Sequence, residues 1–443
     1  MEEKILKWID EHRNEIINFC LELLKYKSVT GKEASLQKEF LFPFLKENFQ
    51  FDEMEIFSVA EKEERPNIIA ALKGRGDGKG RNLLLNGHVD VVDVPESQLS
   101  RWEVDPWSPK IVDGKIYGRG ASDMKGGIAA MLWAIRAIQE TGVELAGDLG
   151  IELVVGEEAM EHEIGTTAAT KRLFEKGFSF DFCVDPEPTA CEIQTISCGT
   201  FDFEIHVVGK EAHTANRNIV LYPQRWGLPC GKEVGVDAIS KIIEIIGILR
   251  KLEREMSMNW RHPVLGGGGY PVHEDVQGVG STFTLNVSFI QGGTYIASIP
   301  GDAKIICQCY YPPWVGYEKV TKVIKEAIEN YSKIDDWLKD HPPKIIFAKR
   351  FHWPPYETPT DHPGCKVLGE VWEQITGKKA IYSGCKGVTD LTFIQALGIP
   401  GVSFGPGDLN MGVHGPNEYV PIDQLIQCTK VLALFITKWC GGK

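Results

Sequence analysis

Pairs of chemically reactive side chains follow apolar segments at two places in this sequence. His88 and Asp90 come directly after one apolar run, and Glu157 and Glu158 come after another. A histidine in such a position can bind a metal ion through one ring nitrogen while a carboxylate holds the other nitrogen. Successive residues that leave a strand point in opposite directions, so one of two adjacent acids can bind a metal ion while the other serves as a general base. Taken singly, each pair could also be an ordinary polar loop.

Further side chains that could bind a metal ion occur at three other places. Asp123 precedes a predicted helix, where it could instead be the N-cap that accepts hydrogen bonds from backbone N–H groups. Asp185 and Glu187 follow a third apolar segment, and His414 lies in a loop after a fourth. A mixed set of histidines and carboxylates suits zinc, cobalt or manganese, and the lack of cysteine ligands argues against a structural zinc site.

The elements that must position these residues alternate between strands and helices. Apolar residues 83–85, 151–155 and 182–184 predict short buried strands, and apolar side chains at helical spacing predict a helix over residues 124–140. This alternation favours an α/β fold with a mostly parallel central sheet. The carboxyl ends of such strands are where α/β enzymes carry their sites.

The pattern changes near residue 199. From there the sequence predicts the order β-α-β-β-α-β, the ferredoxin-like plan. The predicted strands cover residues 201–207, 282–290, 303–311 and 344–347, and the predicted helices cover residues 236–256 and 317–331. After about residue 350 the α/β pattern resumes. We therefore predict a catalytic domain formed by residues 1–198 and 350–443, with an inserted α+β domain at residues 199–349.

The composition argues against several classes of function. Acidic residues outnumber basic residues by 61 to 48, which gives a formal net charge of −13, so binding to nucleic acid or to an anionic membrane is not expected. The sequence contains no run of about 18 apolar residues, so no transmembrane helix is expected. The acidic start of the chain does not resemble a secretory signal. The 11 cysteines form no C-x-x-C pair, which indicates reduced thiols and a cytoplasmic location.

Ordered motifs along nearly the whole chain resemble those of the dinuclear zinc exopeptidases and deacylases. That family includes aminoacylase, glutamate carboxypeptidase, acetylornithine deacetylase and succinyl-diaminopimelate desuccinylase. The matching segments are residues 87–90, 113–114, 117–120, 123–127, 157–158, 187–189 and 414–418, together with Trp102 and Pro106. The resemblance implies a zinc-exopeptidase-like catalytic domain and an inserted ferredoxin-like domain that serves as a lid and in dimerisation. A homodimer formed through the inserted domain is therefore expected.

The resemblance also implies two divalent metal ions per chain. Zinc is the expected metal, and cobalt and manganese are the alternatives. The implied ligands are His88 and Glu187 at one ion, Glu158 and His414 at the other, and Asp123 as the bridge between them. Asp185 lies two residues before Glu187 and could compete with it, although the Glu-Pro-Thr match favours Glu187.

The same resemblance assigns roles to three further residues. Asp90 is expected to orient the ring of His88. Glu157 is expected to take a proton from the attacking water and to deliver it to the leaving amine. His213 matches a family histidine on the inserted domain that contacts the substrate carbonyl oxygen, commonly across a subunit interface. One such oxyanion donor is typically worth roughly 3–4 kcal/mol.

The inserted domain departs from the family pattern where many relatives bind a substrate carboxylate. Ala297 stands in the place of an Asn, and Tyr310 stands in the place of an Arg. A phenol cannot reproduce the bidentate contacts of a guanidinium group. A long segment at residues 216–235 offers other candidates. The tentative substrate-binding residues are Tyr310, Arg217, Tyr222, Arg225 and Trp226. The arginines could bind a carboxylate and the aromatic side chains could hold an apolar group, unless the segment is a remote surface loop.

These observations predict a metal-dependent hydrolase that cleaves an amide C–N bond of a small molecule with water activated by two metal ions. Deacylase activity on an N-acyl amino acid and dipeptidase or exopeptidase activity both remain open. An amidohydrolase or deaminase-type relative that acts on an unusual or aromatic substrate is an alternative. A non-catalytic ligand-binding relative would not require Glu157, which is present. A nucleotide-dependent enzyme would require a phosphate-binding loop, and no GxxxxGK[ST] motif occurs.

Overall fold

A computed structural model describes residues 1–59, 64–76, 80–222, 228–260, 262, 264, 282–385 and 387–443. The chain divides into two compact units. The first unit comprises Met1–Ile196, Glu357–Gly384 and Thr389–Lys443, and the second unit comprises Ser197–Tyr356 and Cys385–Val388. The candidates Arg225 and Trp226 lie outside the described residues.

The first unit is built on a large mixed sheet. In spatial order its strands are Glu53–Phe57, Asn67–Leu72, Leu149–Val154, Leu83–His88, Phe182–Pro188, Gly401–Gly405, Ile193–Ser197 and Tyr356–Glu357, and Tyr382–Cys385 pairs with Ile193–Ser197. The central strands, from Leu149–Val154 to Gly401–Gly405, run parallel to one another. Asn67–Leu72 pairs antiparallel with both of its neighbours, and Ile193–Ser197 pairs antiparallel with Gly401–Gly405. Every residue of these central strands is buried, as is usual for parallel strands. The predicted mostly parallel central sheet is confirmed.

Helix Gly126–Glu140 lies in the centre of the first unit. Its apolar side chains share one core with those of helix Ile422–Trp439. Gly127 allows the start of the helix to approach the sheet, because an added Cβ would lie only 1.9 Å from the carbonyl oxygen of Pro186. This approach brings the segment before the helix against strand Phe182–Pro188. The other helices of the unit are Glu2–Glu11, Arg13–Lys25, Phe42–Asn48, Glu96–Leu99, Thr166–Glu175, Pro363–Thr376 and Leu391–Ala396, with a π-helical turn at Leu36–Leu41.

The second unit contains one antiparallel sheet covered by helices. In spatial order its strands are Thr284–Gly292, Asp302–Tyr311, Gly199–Val208 and Lys344–Trp353. Helices Ala238–Asn259 and Tyr317–Ile334 pack on one face of the sheet through a separate apolar core. Along the chain the order is β-α-β-β-α-β, so the predicted ferredoxin-like fold is confirmed. A short helix, Arg217–Leu221, also belongs to this unit.

Smaller elements complete the two units. Strands Tyr419–Pro421, Lys115–Tyr117 and Lys110–Val112 form a small antiparallel sheet in the first unit, and Ala212–His213 pairs with Ser298–Ile299 in the second unit. All 11 cysteines lie in the described residues, and they form no disulfide bonds. No helix among the described residues is long and apolar enough to cross a membrane.

Candidate metal centre

His88 is the last residue of the buried strand Leu83–His88, and its side chain is 1% exposed. Its Nδ1 lies 3.0 Å from the carbonyl oxygen of Asp90 and can donate a hydrogen bond to it. In the neutral ring Nε2 then keeps its lone pair, and this atom lies 3.1 Å from Asp123 Oδ1 and 3.6 Å from Glu187 Oε1. This tautomer is the form in which a histidine binds a metal ion.

The carboxylate of Asp90 has a different task from the one expected. Its Oδ1 lies 3.8 Å from His88 Nδ1, which is beyond hydrogen-bond distance. The carboxylate instead accepts hydrogen bonds from the N–H groups of Gly156 at 3.0 Å and Glu158 at 3.3 Å, and from the hydroxyl of Thr30 at 3.1 Å. The backbone carbonyl of Asp90 therefore contacts the ring, while its carboxylate holds the segment that follows Gly156.

Asp123 lies between two groups of candidate ligands. Its Oδ1 is 3.1 Å from His88 Nε2, and its Oδ2 is 3.4 Å from His414 Nε2. The alternative interpretation of Asp123 as a helix N-cap is wrong, because the helix begins at Gly126 and its N-cap is Lys125. Among the described residues, His88, Asp123 and Glu187 form one group and Asp123, Glu158 and His414 form the other, with the ligand atoms of each group within 4.8 Å of one another.

The remaining ligand candidates come from distant parts of the sequence. Glu158 Oε2 lies 3.0 Å from His414 Nε2. His414 adopts a φ of +58° and its side chain is 54% exposed, so this group opens towards solvent. Glu187 lies near the end of strand Phe182–Pro188. Asp185 is completely buried and belongs to neither ligand group within the described part of the chain, so the geometry favours Glu187 over Asp185.

Carboxyl groups outnumber the two histidines of this centre, and they change the pKa values of both. Hydrogen bonds to Asp123 and Glu158 raise the pKa of His414 to about 10. Burial lowers the pKa of His88, but the hydrogen bond to Asp123 and the charges of nearby glutamates outweigh burial and raise it well above its usual range. An excess of negative charge with nitrogen and oxygen donors fits divalent cations such as zinc or manganese.

Glu157 lies beside the ligand groups but belongs to neither of them. It begins the short turn Glu157–Ala159, and its side chain is 11% exposed. Its Oε2 lies 4.0 Å from His88 Nε2. Burial raises the pKa of Glu157 well above its usual range, although the charge of His88 lowers it. A buried carboxyl group in this position can exchange a proton with a molecule bound at the centre.

A buried ion pair that the sequence reasoning did not single out holds Asp123 in place. The carboxylate of Glu418 accepts hydrogen bonds at 3.0–3.1 Å from the N–H groups of Gly120, Ser122 and Asp123. Arg119 donates to the same carboxylate at 2.6 Å and to the carbonyl oxygen of Gly415 at 3.1 Å. The pair thus joins the segment of Asp123 to the segment that begins at Gly415. Both residues lie in motifs that match the family, which is the signal that could have identified them.

A second polar cluster is built on Asn86 and Glu152, which lie two residues before the ends of strands Leu83–His88 and Leu149–Val154, and on two residues at the starts of helices. We call Asn86, Glu152, Thr166 and Asp390 the Glu152 cluster. The amide of Asn86 donates to Glu152 at 2.9 Å and to Thr166 at 3.1 Å, and the hydroxyl of Thr166 donates to Asp390 at 2.5 Å. Burial raises the pKa of Glu152 to about 8 and that of Asp390 to about 6. The sequence reasoning missed this cluster because its members occur singly within or beside apolar segments.

His213 lies in the second unit, in the two-residue strand Ala212–His213, and it is exposed. Its Nδ1 accepts a hydrogen bond from the N–H group of Ala215 at 3.1 Å. In the neutral ring this contact places the proton on Nε2. The Nε2–H group of His213 is therefore available as a hydrogen-bond donor.

The other substrate-binding candidates of the second unit differ in their surroundings. The guanidinium group of Arg217 forms an ion pair with Asp237, the N-cap of helix Ala238–Asn259. Tyr222 is 68% exposed. Tyr310 is half-buried and lies on the face of strand Asp302–Tyr311 opposite the apolar core of the unit. Arg217 and Tyr222 remain tentative substrate-binding residues, and the charge of Arg217 has a partner in Asp237.

The fold and the paired ligand groups define a metal-dependent hydrolase of amide bonds. Residues 84–438 match the model of peptidase family M20/M25/M40, and the chain belongs to this family. The family resemblance and the hydrolase class predicted from the sequence are thereby confirmed. Members of the family bind two metal ions, which fits the two ligand groups that share Asp123.

Individual relatives extend over almost the whole chain. An N-formyl-4-amino-5-aminomethyl-2-methylpyrimidine deformylase from Bacillus subtilis (strain 168) is 30% identical over 448 residues, which cover 99% of this chain and 97% of the relative. An acetylornithine deacetylase from Photorhabdus laumondii is 28% identical over 393 residues, which cover 88% and 86% of the two chains. The fold is shared with the structure of Bacillus subtilis YXEP protein, which is described as a dinuclear metal binding peptidase from the M20 family. The TM-score is 0.62 at 15% identity, and the match covers 97% of this chain and 98% of that chain.

Proposed function

We propose that this chain removes a small acyl group from an amine by hydrolysing the amide C–N bond, with two zinc ions and with Glu157 as general acid and base. The observation that carries the proposal is the position of Asp123, which is shared by both ligand groups while Glu157 lies beside them. This arrangement offers separate residues for holding metal ions and for moving a proton.

The two ligand groups would each hold one ion. His88, Asp123 and Glu187 would bind the first ion, and Asp123, Glu158 and His414 the second. One histidine and two carboxylates at each ion suit zinc, and cobalt or manganese fits the same donors. The ions supply Lewis acidity, which lowers the pKa of water and polarises the substrate carbonyl group. The chain keeps the ligands in place through the carbonyl of Asp90 and the carboxylate of Glu418.

Glu157 carries the proton in this proposal. Its Oε2 accepts a proton from water as the water oxygen bonds to the carbonyl carbon. The same oxygen then donates the proton to the amine nitrogen as the C–N bond breaks. The products are a carboxylic acid and a free amine, and Glu157 returns to its starting state. Because its side chain is only 11% exposed, exchange of this proton with bulk water is limited.

A formyl group on an aminomethyl-substituted heterocycle is the substrate class that we propose. One support is the similarity, over 99% of this chain, to the Bacillus subtilis deformylase named above. The other support is Tyr310, which stands where many family members have an arginine that pairs with a substrate carboxylate. A phenol suits an uncharged aromatic ring better than a carboxylate, because it has no positive charge to offer.

His213 is the proposed donor to the oxygen of the carbonyl group during hydrolysis. The contact of its Nδ1 with Ala215 leaves the proton on Nε2, where it can stabilise a developing negative charge. In the family such a histidine commonly comes from the partner subunit, so this role is linked to dimerisation.

We therefore propose a homodimer formed through the second unit. Its edge strand Thr284–Gly292 exposes Phe289 to 64% and Ile290 to 52%, and helix Ala238–Asn259 exposes Ile243 to 57%. In the described part of the chain this strand pairs only with Asp302–Tyr311, so its other edge can accept a strand from a second copy. Sedimentation should show a dimer, and Phe289→Lys should shift it towards a monomer.

Substrate comparison with zinc-loaded protein tests the proposed reaction. The panel consists of N-formyl and N-acetyl derivatives of 4-amino-5-aminomethyl-2-methylpyrimidine, N-acetylornithine, N-succinyl-diaminopimelate and simple dipeptides. We expect the formylpyrimidine to have the highest kcat/KM, about 10-fold or more above N-acetylornithine. Efficient hydrolysis of N-acetylornithine without hydrolysis of the formylpyrimidine would overturn the substrate class, and hydrolysis of none of these amides would overturn the reaction.

A further inference from the structure

A backbone hydrogen bond closes the turn that carries Glu157 and Glu158. We call residues 156–161 the catalytic turn. Gly156 has a φ of +93°, a conformation that favours glycine, and its carbonyl oxygen accepts a hydrogen bond at 2.8 Å from the N–H group of Glu161. The position of Glu161 is therefore coupled through a short backbone ring to the position of Glu157.

Arg65, which is not part of this turn, binds the side chain of Glu161 at its end. Its Nη2 and Nε donate to the carboxylate of Glu33 at 2.6 and 3.2 Å, and its Nη1 donates to the carboxylate of Glu161. Arg65 is 7% exposed and Glu33 is completely buried. We call Glu33, Arg65 and Glu161 the Arg65 clamp. Charge-assisted contacts of a planar guanidinium group to two carboxylates fix both distance and direction.

Neighbouring contacts fix the two ends of the segment that contains the turn. The side chain of Asn67 accepts a hydrogen bond from the N–H group of Val155 at 3.1 Å and donates to the carbonyl oxygen of Ile164 at 2.7 Å. Gln37 donates to the carbonyl oxygen of Leu153 at 2.8 Å. With the ends held in this way, the contacts of Asp90 and Arg65 decide where the middle of the segment lies. The clamp residues Glu33 and Arg65 precede residue 84, where the match to the family model begins.

We propose that Arg65 is a positioning residue for the reaction: by holding Glu161 it sets the place of the Glu157 carboxylate beside the metal ligands. The inference rests on the proposed function, because it requires Glu157 to carry the proton. Misplacement of a reacting group by 1 Å can cost about 10²-fold in rate. Glu157 lies four residues from the anchor at Glu161, so we expect a loss of about 10-fold when the anchor is weakened.

Glu161→Gln is the main test variant. The side chain of Glu161 is 37% exposed, so the substitution should leave the fold intact while it removes one charge from the clamp. The matched control is Glu163→Gln, since Glu163 is 72% exposed and pairs with His162 rather than with the clamp. We expect kcat to fall about 10-fold in Glu161→Gln, with KM and metal content unchanged, and we expect no change in the control. Arg65→Lys should retain more activity than Arg65→Met, because lysine keeps the positive charge. It should remain below the wild type, because lysine cannot contact both carboxylates as a guanidinium group does.

The Glu157→Gln background separates positioning from a general effect on structure. If the clamp acts through Glu157, Glu161→Gln should cause no further loss in that background, because the group that it positions is already inactive. Hydrogen exchange of the metal-free protein provides a measurement that does not depend on activity. The amides of the catalytic turn should exchange faster in Glu161→Gln than in Glu163→Gln.

Four outcomes decide between the alternatives. An unchanged kcat in Glu161→Gln, or an equal further loss in the Glu157→Gln background, would overturn the role of the clamp in positioning Glu157. Unchanged hydrogen exchange of the catalytic turn would overturn the claim that the clamp holds it. Full activity of Glu157→Gln itself would instead overturn the proposed function, and this result does not depend on any clamp variant.

Discussion

Asp123 and Glu152, two buried acids of the first unit, differ in the charge that their surroundings favour. In the metal centre, burial raises the pKa of Asp123, but hydrogen bonds from His414 and His88 outweigh burial and lower it below its usual range. Glu152 has neutral hydrogen-bond partners, the amide of Asn86 and the hydroxyl of Thr170, and burial raises the pKa of Glu152 to about 8. Burial therefore favours the protonated form of Glu152, whereas hydrogen bonds from two imidazole rings keep Asp123 ionised. A metal ion shared through Asp123 requires this ionised form.

Removal of the shared ligand should have the largest effect on the metal centre. Asp123→Ala takes one ligand from each group, so bound metal should fall from two equivalents per chain to about one or fewer. Because the Lewis acidity of the pair is lost, kcat/KM should fall by at least about 10³-fold. Elemental analysis after mild dialysis, combined with steady-state kinetics, measures both quantities. A fully loaded and active variant would show that Asp123 does not bridge the ions.

The two adjacent glutamates should differ in their effect on metal content. Glu157→Gln keeps the shape of the side chain but removes the base, so we expect normal metal content and a loss in kcat of about 10²–10⁴-fold. Glu158→Gln should instead release metal, because Glu158 lies in a ligand group. If Glu157→Gln loses metal and Glu158→Gln keeps it, the roles of the two residues are exchanged.

The Glu152 cluster should affect stability rather than metal binding. A carboxyl group whose pKa is raised from 4.5 to about 8 binds more protons in the folded state than in the unfolded state between these pH values. Stability must therefore fall as the pH rises through this window, by up to about 1.4 kcal/mol per pH unit for one group.

Glu152→Gln removes this titration and keeps a side chain of similar shape. The free energy of unfolding of the variant, relative to the wild type, should therefore increase as the pH rises from about 4.5 to 8. Urea denaturation of the metal-free proteins at several pH values measures this difference. A difference that does not change with pH would show that Glu152 is ionised in the folded chain.

The smallest effect is expected for Arg217. Its charge is already paired with Asp237, so Arg217→Ala should change kcat/KM for the formylpyrimidine by less than about 3-fold. The loss of stability should also be small, within about 1 kcal/mol, because the side chain is 41% exposed. A large increase in KM would instead show that the arginine contacts the substrate, as the sequence suggested.

The alternation of apolar strands and helices was sufficient to predict both folds, because each element buries a periodic apolar face. The central helix begins at Gly126, two residues after the predicted start at residue 124. Glu418 accepts the N–H groups of Ser122 and Asp123, and the backbone at Asp123 is not helical. This contact joins residues almost 300 positions apart, so no local pattern reports it.

The candidate metal ligands could be identified from the sequence, because His88, Asp123, Glu158, Glu187 and His414 stand in motifs with a recognisable order. The apolar periodicity that builds the two units is also a property of the sequence. The contacts between these atoms could not be predicted in this way. The hydrogen bond of His88 to the carbonyl of Asp90 and the contact of Arg65 with the catalytic turn are seen only in the folded chain. Hydrogen bonds and ion pairs are short and directional. They depend on distances that the packing of remote segments sets, whereas periodic burial can be read from neighbouring residues alone.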